Sequence, residues 1–147
     1  MMTIASHAGP DSIAEIARRT SDGTQRFDFA VRELLDCWQT MDSASKLRAL
    51  ADEPGAIGKI EDAYLAALTE HLAQLDRLPV PDWPERPQRF LEAPFFAGGL
   101  QSLKATHIVE SPPAFRRRLI FISANALSRP RREFIQENAL NVSNLDV

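Results

Sequence analysis

Between Pro79 and Phe96 the chain reads PVPDWPERPQRFLEAPFF, five prolines within 18 residues. Each proline lacks the amide that a helix interior needs, and each disfavours helical backbone in the residue before it. No regular helix crosses such a stretch. It divides the chain into a long upstream part that is free to be helical and a shorter downstream part. Its aromatics, Trp83, Phe90, Phe95 and Phe96, give it a reason to pack, so an extended connector laid across the upstream part is expected rather than a free linker.

Upstream, apolar residues recur with helical spacing. Ser12 with Glu15 has the form of a capping box in front of Ile13, Ile16 and Ala17, and Ser21-Asp22-Gly23 ends that short helix. Phe27, Ala30, Val31, Leu34, Leu35, Trp38 and Met41 step by three and four, predicting a long helix with one buried face. A serine cap near Ser43 opens a shorter helix carrying Leu47 and Leu50, which Glu53-Pro54-Gly55 closes. Ile57, Ile60, Tyr64, Leu65, Leu68, Leu72 and Leu75 predict another long amphipathic helix.

Downstream of Gly98-Gly99, the stretch from Leu100 to Val109 suits a helix. Ser111-Pro112-Pro113 suits the N-cap and first turn of another that runs through Ala114 to Arg118, because proline at the first helical position forfeits no intrahelical bond. Leu119 to Ile122 is compatible with a short strand or with the helix's continuation. A chain of 147 residues, 44% hydrophobic and 25% charged, has the composition of one globular domain able to bury a core without metals or disulfides. The expected fold is mostly α: a small helical bundle, a Pro/aromatic-rich extended connector and a short C-terminal helical or α+β segment. One domain over residues 1–147 is expected, with 1–10 and about 133–147 outside its ordered body.

Several function classes have little to build on. The lone cysteine, Cys37, can form no internal disulfide and sits beside Trp38 in a helical pattern, where an inert buried thiol is expected. Residues 1–20 lack the apolar core of an export signal, and no apolar run approaches the roughly 18 residues of a membrane span, so a cytoplasmic protein with no membrane contact is expected. His7, His71 and His107 are dispersed, and Glu70-His71 has no second histidine one turn away, so neither a metal nor another cofactor is expected. Ser12, Ser43 and Ser111 are all in capping positions, and Gly98-Gly99 lacks the surroundings of a phosphate loop. No catalytic residues are assigned, and a non-enzymatic role is the expectation.

The net charge of −3 hides an asymmetry. Residues 1–110 carry 11 basic against 17 acidic side chains, whereas residues 111–147 carry six arginines against three acids. The basic segment comprises Arg116, Arg117, Arg118, Arg129, Arg131 and Arg132. Arginine suits bidentate carboxylate pairing and burial at interfaces, so these six are expected at the polar contacts of a protein partner, with Trp83, Phe95 and Phe96 as apolar anchors. Successive residues on a helix point about 100° apart, so the triplet fans out, and at least one stem is expected to pack on the core or cap a helix end. Nucleic-acid contact through the same arginines is the alternative. The sequence from Ile13 to Leu34 is superficially helix-turn-helix, but its second helix carries Asp28 and Glu33, with Asp36 beyond, where phosphates would lie.

Three stretches carry a family resemblance: RFDFAVRELLDCW at 26–38, DAYLAALTEHLAQLDRLPVPDW at 62–83, and RFLEAPFFAGGLQSLKATHIVESPPAFRRRLIFISANALSR at 89–129. Together they resemble a largely uncharacterised family of small bacterial proteins encoded beside nucleotidyltransferase-like proteins, in arrangements similar to toxin–antitoxin pairs. The last stretch is also similar to the region that follows the helix-turn-helix domain in some bacterial regulators. The resemblance implies an antitoxin-like interaction protein that docks on a nucleotidyltransferase-like partner or on itself. It brings no catalytic motif, and the regulators' DNA-binding domain has no equivalent in residues 1–25.

Overall fold

Four helices occupy the upstream part in the computed structural model, which describes residues 9–97, 105–123 and 126–128: α1 (Ile13–Asp22), α2 (Phe27–Trp38), α3 (Ser43–Ala51) and α4 (Lys59–Leu75). The fold is mostly helical, as the apolar spacing predicts. Ser12 caps α1, its Oγ accepting the Glu15 amide at 3.1 Å. The reciprocal half of the capping box is missing, because the Glu15 carboxylate turns to Arg18 and Arg19 instead. The hydrogen bond from Arg18 is the largest influence on that carboxyl and brings it down to about 2. Gly23, with φ of 75°, supplies the left-handed residue that closes the helix.

The α2 stripe folds as its spacing predicts, burying Ala30, Val31, Leu34, Leu35 and Trp38. At α3 the cap is Asp42 rather than Ser43: the Asp42 carboxylate accepts the Ser45 amide at 2.8 Å, and Ser43 is the first helical residue. Leu47 lies on the outer face, and Ala49 with Leu50 makes the inner one. Trp38 of α2 donates its indole N–H to Asp76 at 2.9 Å, and Lys46 of α3 reaches the same carboxylate at 2.6 Å, tying two helices to the end of α4.

Helix α4 departs from a simple stripe. Every residue from Leu65 to Glu70 is buried, because packed elements surround the helix. Its alanines at 63, 66, 67 and 73 let those neighbours approach closely. At its ends, Ile60 and Leu75 are exposed.

The proline stretch is not extended. It folds into two 3₁₀ turns, Trp83–Glu85 and Pro87–Arg89, each with a proline in its opening positions, and both pack on α4. Short i→i+3 turns suit this sequence because the prolines sit where no amide donor is required. Trp83 is buried and donates its indole N–H to the Leu50 carbonyl at 2.9 Å.

Beyond it, strand β1 (Phe95–Phe96) pairs in parallel with β2 (Ile120–Phe121), with Phe95 opposite Ile120. Between the strands run α5 (Ala105–Glu110) and α6 (Pro113–Arg116). Within the stretch from Leu119 to Ile122, Ile120 and Phe121 are therefore a strand rather than the helix's continuation. Leu119, at φ of 63°, adopts a left-handed conformation that costs a leucine about 1–2 kcal/mol. Two hydrogen bonds fix it there: its amide donates to Arg116 at 2.9 Å and its carbonyl accepts from Phe95 at 2.8 Å.

Ser111 is not a cap, since the residue preceding α6 is Pro112. Its buried hydroxyl accepts from the Ile122 amide and donates to the Ile122 carbonyl, both at 2.9 Å, clamping the start of α6 to the end of β2. Part of the helix expected over Leu100–Val109 falls outside the described residues, as do residues 1–8 and 133–147 of the two termini expected to lie outside the ordered body; Pro10, expected outside it as well, is instead fully buried. Among the described residues, no helix is long and apolar enough to cross a membrane.

Candidate docking surface

The arginine triplet divides sharply. Arg118 is fully buried between α6, α4 and the first 3₁₀ turn. Its guanidinium donates to Glu70 Oε1 at 2.7 Å, to the Ala114 carbonyl at 2.9 Å and to the Pro84 carbonyl at 2.8 Å, and its face lies 4.5 Å from the Phe90 ring centroid. Burial lowers its pKa despite the facing carboxylate. Arg117 bridges Glu70 at 2.7 Å and Glu85 at 2.8 and 3.0 Å, and its hydrogen bond holds the Glu85 carboxyl below the ordinary range. Arg116 is exposed, and its side chain makes no ion pair or hydrogen bond among the described residues.

Two arginines of the triplet are thus an internal brace. The expectation that Arg118 meets a partner is corrected by its burial, and the same holds for Trp83, 3% exposed and bonded to Leu50. The physical reason is Glu70. A carboxylate carried into the core by α4 costs several kcal/mol unless cations and donors reach it, and the triplet supplies both.

Arg89 repeats the device. Nearly buried, it donates to Glu53 at 3.0 Å, to the Pro54 carbonyl at 2.9 Å and to the Asp62 carbonyl at 3.2 Å, with its guanidinium 4.8 Å from the Trp83 ring centroid. Sequence reasoning missed Arg89, Glu70 and Glu85. The signal for Glu70 was present: a lone carboxylate inside the run from Leu65 to Ala73 requires a cation from elsewhere in the fold.

The remaining aromatic anchors also separate. Phe96 stacks on Phe121, with ring centroids 5.0 Å apart, as part of the strand pair. Phe95 stands between two open clefts. One, of about 560 Å³, is lined by Phe90, Leu91, Pro94, Phe95, Ile60 and Lys59 among others. The second, of about 390 Å³, is lined by Phe27, Val31, Leu35, Tyr64, Phe95 and Ile60 among others. Ile60 and Phe95 belong to both, so the clefts adjoin as one apolar groove with a ridge. Burial pushes the Tyr64 hydroxyl up to about 12. Arg129, Arg131 and Arg132 lie outside the described residues.

Comparison of the chain with models of protein families, with curated proteins and with solved structures finds no match. The site therefore rests on its own geometry. Among the described residues, no group of three or more His, Cys, Asp or Glu side chains is placed to hold a metal ion. The Cys37 thiol is half-buried, and burial followed by the charges of Glu33, Asp36 and Asp11 raises its pKa, the opposite of an activated nucleophile. His71 packs edge-on to Phe115, with ring centroids 6.1 Å apart, and burial lowers its pKa. What the described surface offers is the ridged groove.

Proposed function

We propose that this chain is a non-enzymatic, antitoxin-like interaction protein that docks on a nucleotidyltransferase-like partner. The observation that carries the reading is the groove about Ile60 and Phe95. Its two clefts are of ligand-cleft size and mostly apolar, and Ile60 is 37% exposed on the ridge between them. Exposed apolar surface rimmed by polar residues is costly in water and marks sites that another molecule covers. The resemblance over residues 26–129 supplies the class of partner, and Phe95, expected from sequence as an apolar anchor, lies at the groove's centre.

Nucleic-acid binding through the arginines is less well supported, because the donors of Arg117 and Arg118 are already engaged by Glu70 and Glu85. The test is co-expression with the nucleotidyltransferase-like protein expected beside it, followed by purification in about 0.5 M salt, where charge-only contacts are heavily screened. A stoichiometric complex that persists supports docking. A chain that elutes alone, with nucleic acid bound at low salt, contradicts it.

A further inference from the structure

Strand β1 is held less firmly than its partner. In β2, Ile120 is fully buried, and the Ser111 hydroxyl clamps the buried Ile122 that follows. In β1, Phe95 and Phe96 are only half-buried, and Glu92, Ala93 and Pro94 before them are exposed. Among the described residues, no amide from Leu91 to Ala93 donates a backbone hydrogen bond, and Pro94 has no amide to give. The Phe95 amide donates to the Leu119 carbonyl at 2.8 Å and the Ala97 amide to the Phe121 carbonyl at 3.0 Å. A ladder this short is marginal by itself.

The first of those acceptors belongs to the strained residue. Leu119 turns the chain from α6 into β2 in a left-handed conformation that such turns usually give to glycine. Its half-buried side chain lies outside the apolar core, so packing offsets little of that strain. Phe95 also lines both clefts with Ile60. One residue thus joins the strained turn, through its amide, to the ridge of the groove.

We infer that β1 is a releasable latch: it parts from an anchored β2, Leu119 then relaxes out of its left-handed conformation, and the ridge of the groove moves with β1. The turn at Leu119 sets the balance, because its cost is present only while the strands are paired. Opening removes Phe95 from beside Ile60 and separates the stacked rings of Phe96 and Phe121. The groove is therefore a regulated surface, complete when the latch is closed, and this holds whatever molecule occupies it.

Native-state hydrogen exchange on the full-length chain, followed residue by residue at low denaturant, tests the latch. The Phe95 amide is expected to exchange at least about 100-fold faster than the amide of the fully buried Leu68 in α4, at a rate that denaturant barely changes. The Ile122 amide, on the anchored strand, should exchange with Leu68. Leu119→Asn introduces a side chain that tolerates the left-handed conformation and should slow Phe95 exchange about threefold or more. Leu119→Val introduces a branched side chain that suits it least and should quicken that exchange at least about tenfold. The Ile60 methyl resonance should shift in Leu119→Val, although residue 119 lines neither cleft.

Exchange of Phe95 together with Leu68 overturns the inference, since β1 would then part only in global unfolding. So does exchange of Ile122 together with Phe95, which would make both strands one mobile unit. A Phe95 rate unmoved by Leu119→Asn removes Leu119 from the balance, and an Ile60 resonance that ignores Leu119→Val severs the latch from the groove; either result contradicts it. Should Leu119→Val fail to fold, the rates in the unaltered chain and in Leu119→Asn decide.

Discussion

The segment from Arg116 to Arg118 and the groove about Ile60 and Phe95 use charge in opposite ways. In the first, charges of opposite sign meet inside the protein: Arg118 and Arg117 converge on one oxygen of Glu70, and Glu85 closes the outer side. In the second, exposed charges of both signs, Asp28 and Glu92 with Arg32 and Lys59, stand around apolar clefts. A dense run of one charge in a sequence draws attention, yet its density here reflects an internal requirement. The less conspicuous charges, scattered over α2, α4 and the approach to β1, are the ones left at the surface. The lesson is that charge marks a binding surface only after its internal pairing has been traced.

Substitutions can break this contrast, beginning with the deepest. Arg89→Ala is expected to destabilise the fold by about 3 kcal/mol, because it empties a buried site against Trp83 and leaves the Pro54 and Asp62 carbonyls without their donor. Chemical denaturation measures this, and a loss below about 0.5 kcal/mol would place Arg89 among solvated surface residues. Ser111→Ala should cost about 1–3 kcal/mol, since the Ile122 amide and carbonyl lose their shared buried partner. Hydrogen exchange at Ile122 should accelerate in the same variant.

The pH dependence tests the interior more gently. His71 has a folded-state pKa below its unfolded value, so its neutral form is favoured by folding. Its contribution is complete above the unfolded pKa near 6.5 and is lost as pH falls through the depressed folded value. Acidification from about pH 7.5 should therefore lower the melting temperature, and His71→Gln should flatten that slope. Glu85 has a lowered carboxyl pKa of the same sign, acting in the carboxylate range. Smallest of all, Arg116→Glu should change stability by no more than about 0.5 kcal/mol, which thermal melting resolves. A large loss there would mean that the triplet acts as one unit, and the division between brace and surface would fail.

Much of the bundle is legible in the sequence. The stripe from Phe27 to Trp38 needs only a period, and Ser12 with Gly23 marks both ends of α1, because these signals are local. The misreadings have local competitors too: Asp42 displaces Ser43 as a cap because a carboxylate one residue earlier reaches the same turn, and 3₁₀ geometry absorbs the prolines that argue for an extended chain. Leu119 to Ile122 is ambiguous since its strand partner, Phe95–Phe96, lies across two intervening helices. The site is least legible. Glu70 signals that a cation is needed but not which one, and the groove arises only when Ile60 and Phe95, from different elements, form one ridge.

The most direct test of the brace is a double-mutant cycle between Arg118 and Glu70, using Arg118→Met and Glu70→Gln, with unfolding free energies from chemical denaturation. Each single change should cost about 3 kcal/mol or more by leaving its partner charge buried, and the double variant should recover at least about 2 kcal/mol of the summed loss. Additive single losses of under about 0.5 kcal/mol each would return Arg118 to a solvated basic surface and contradict the account.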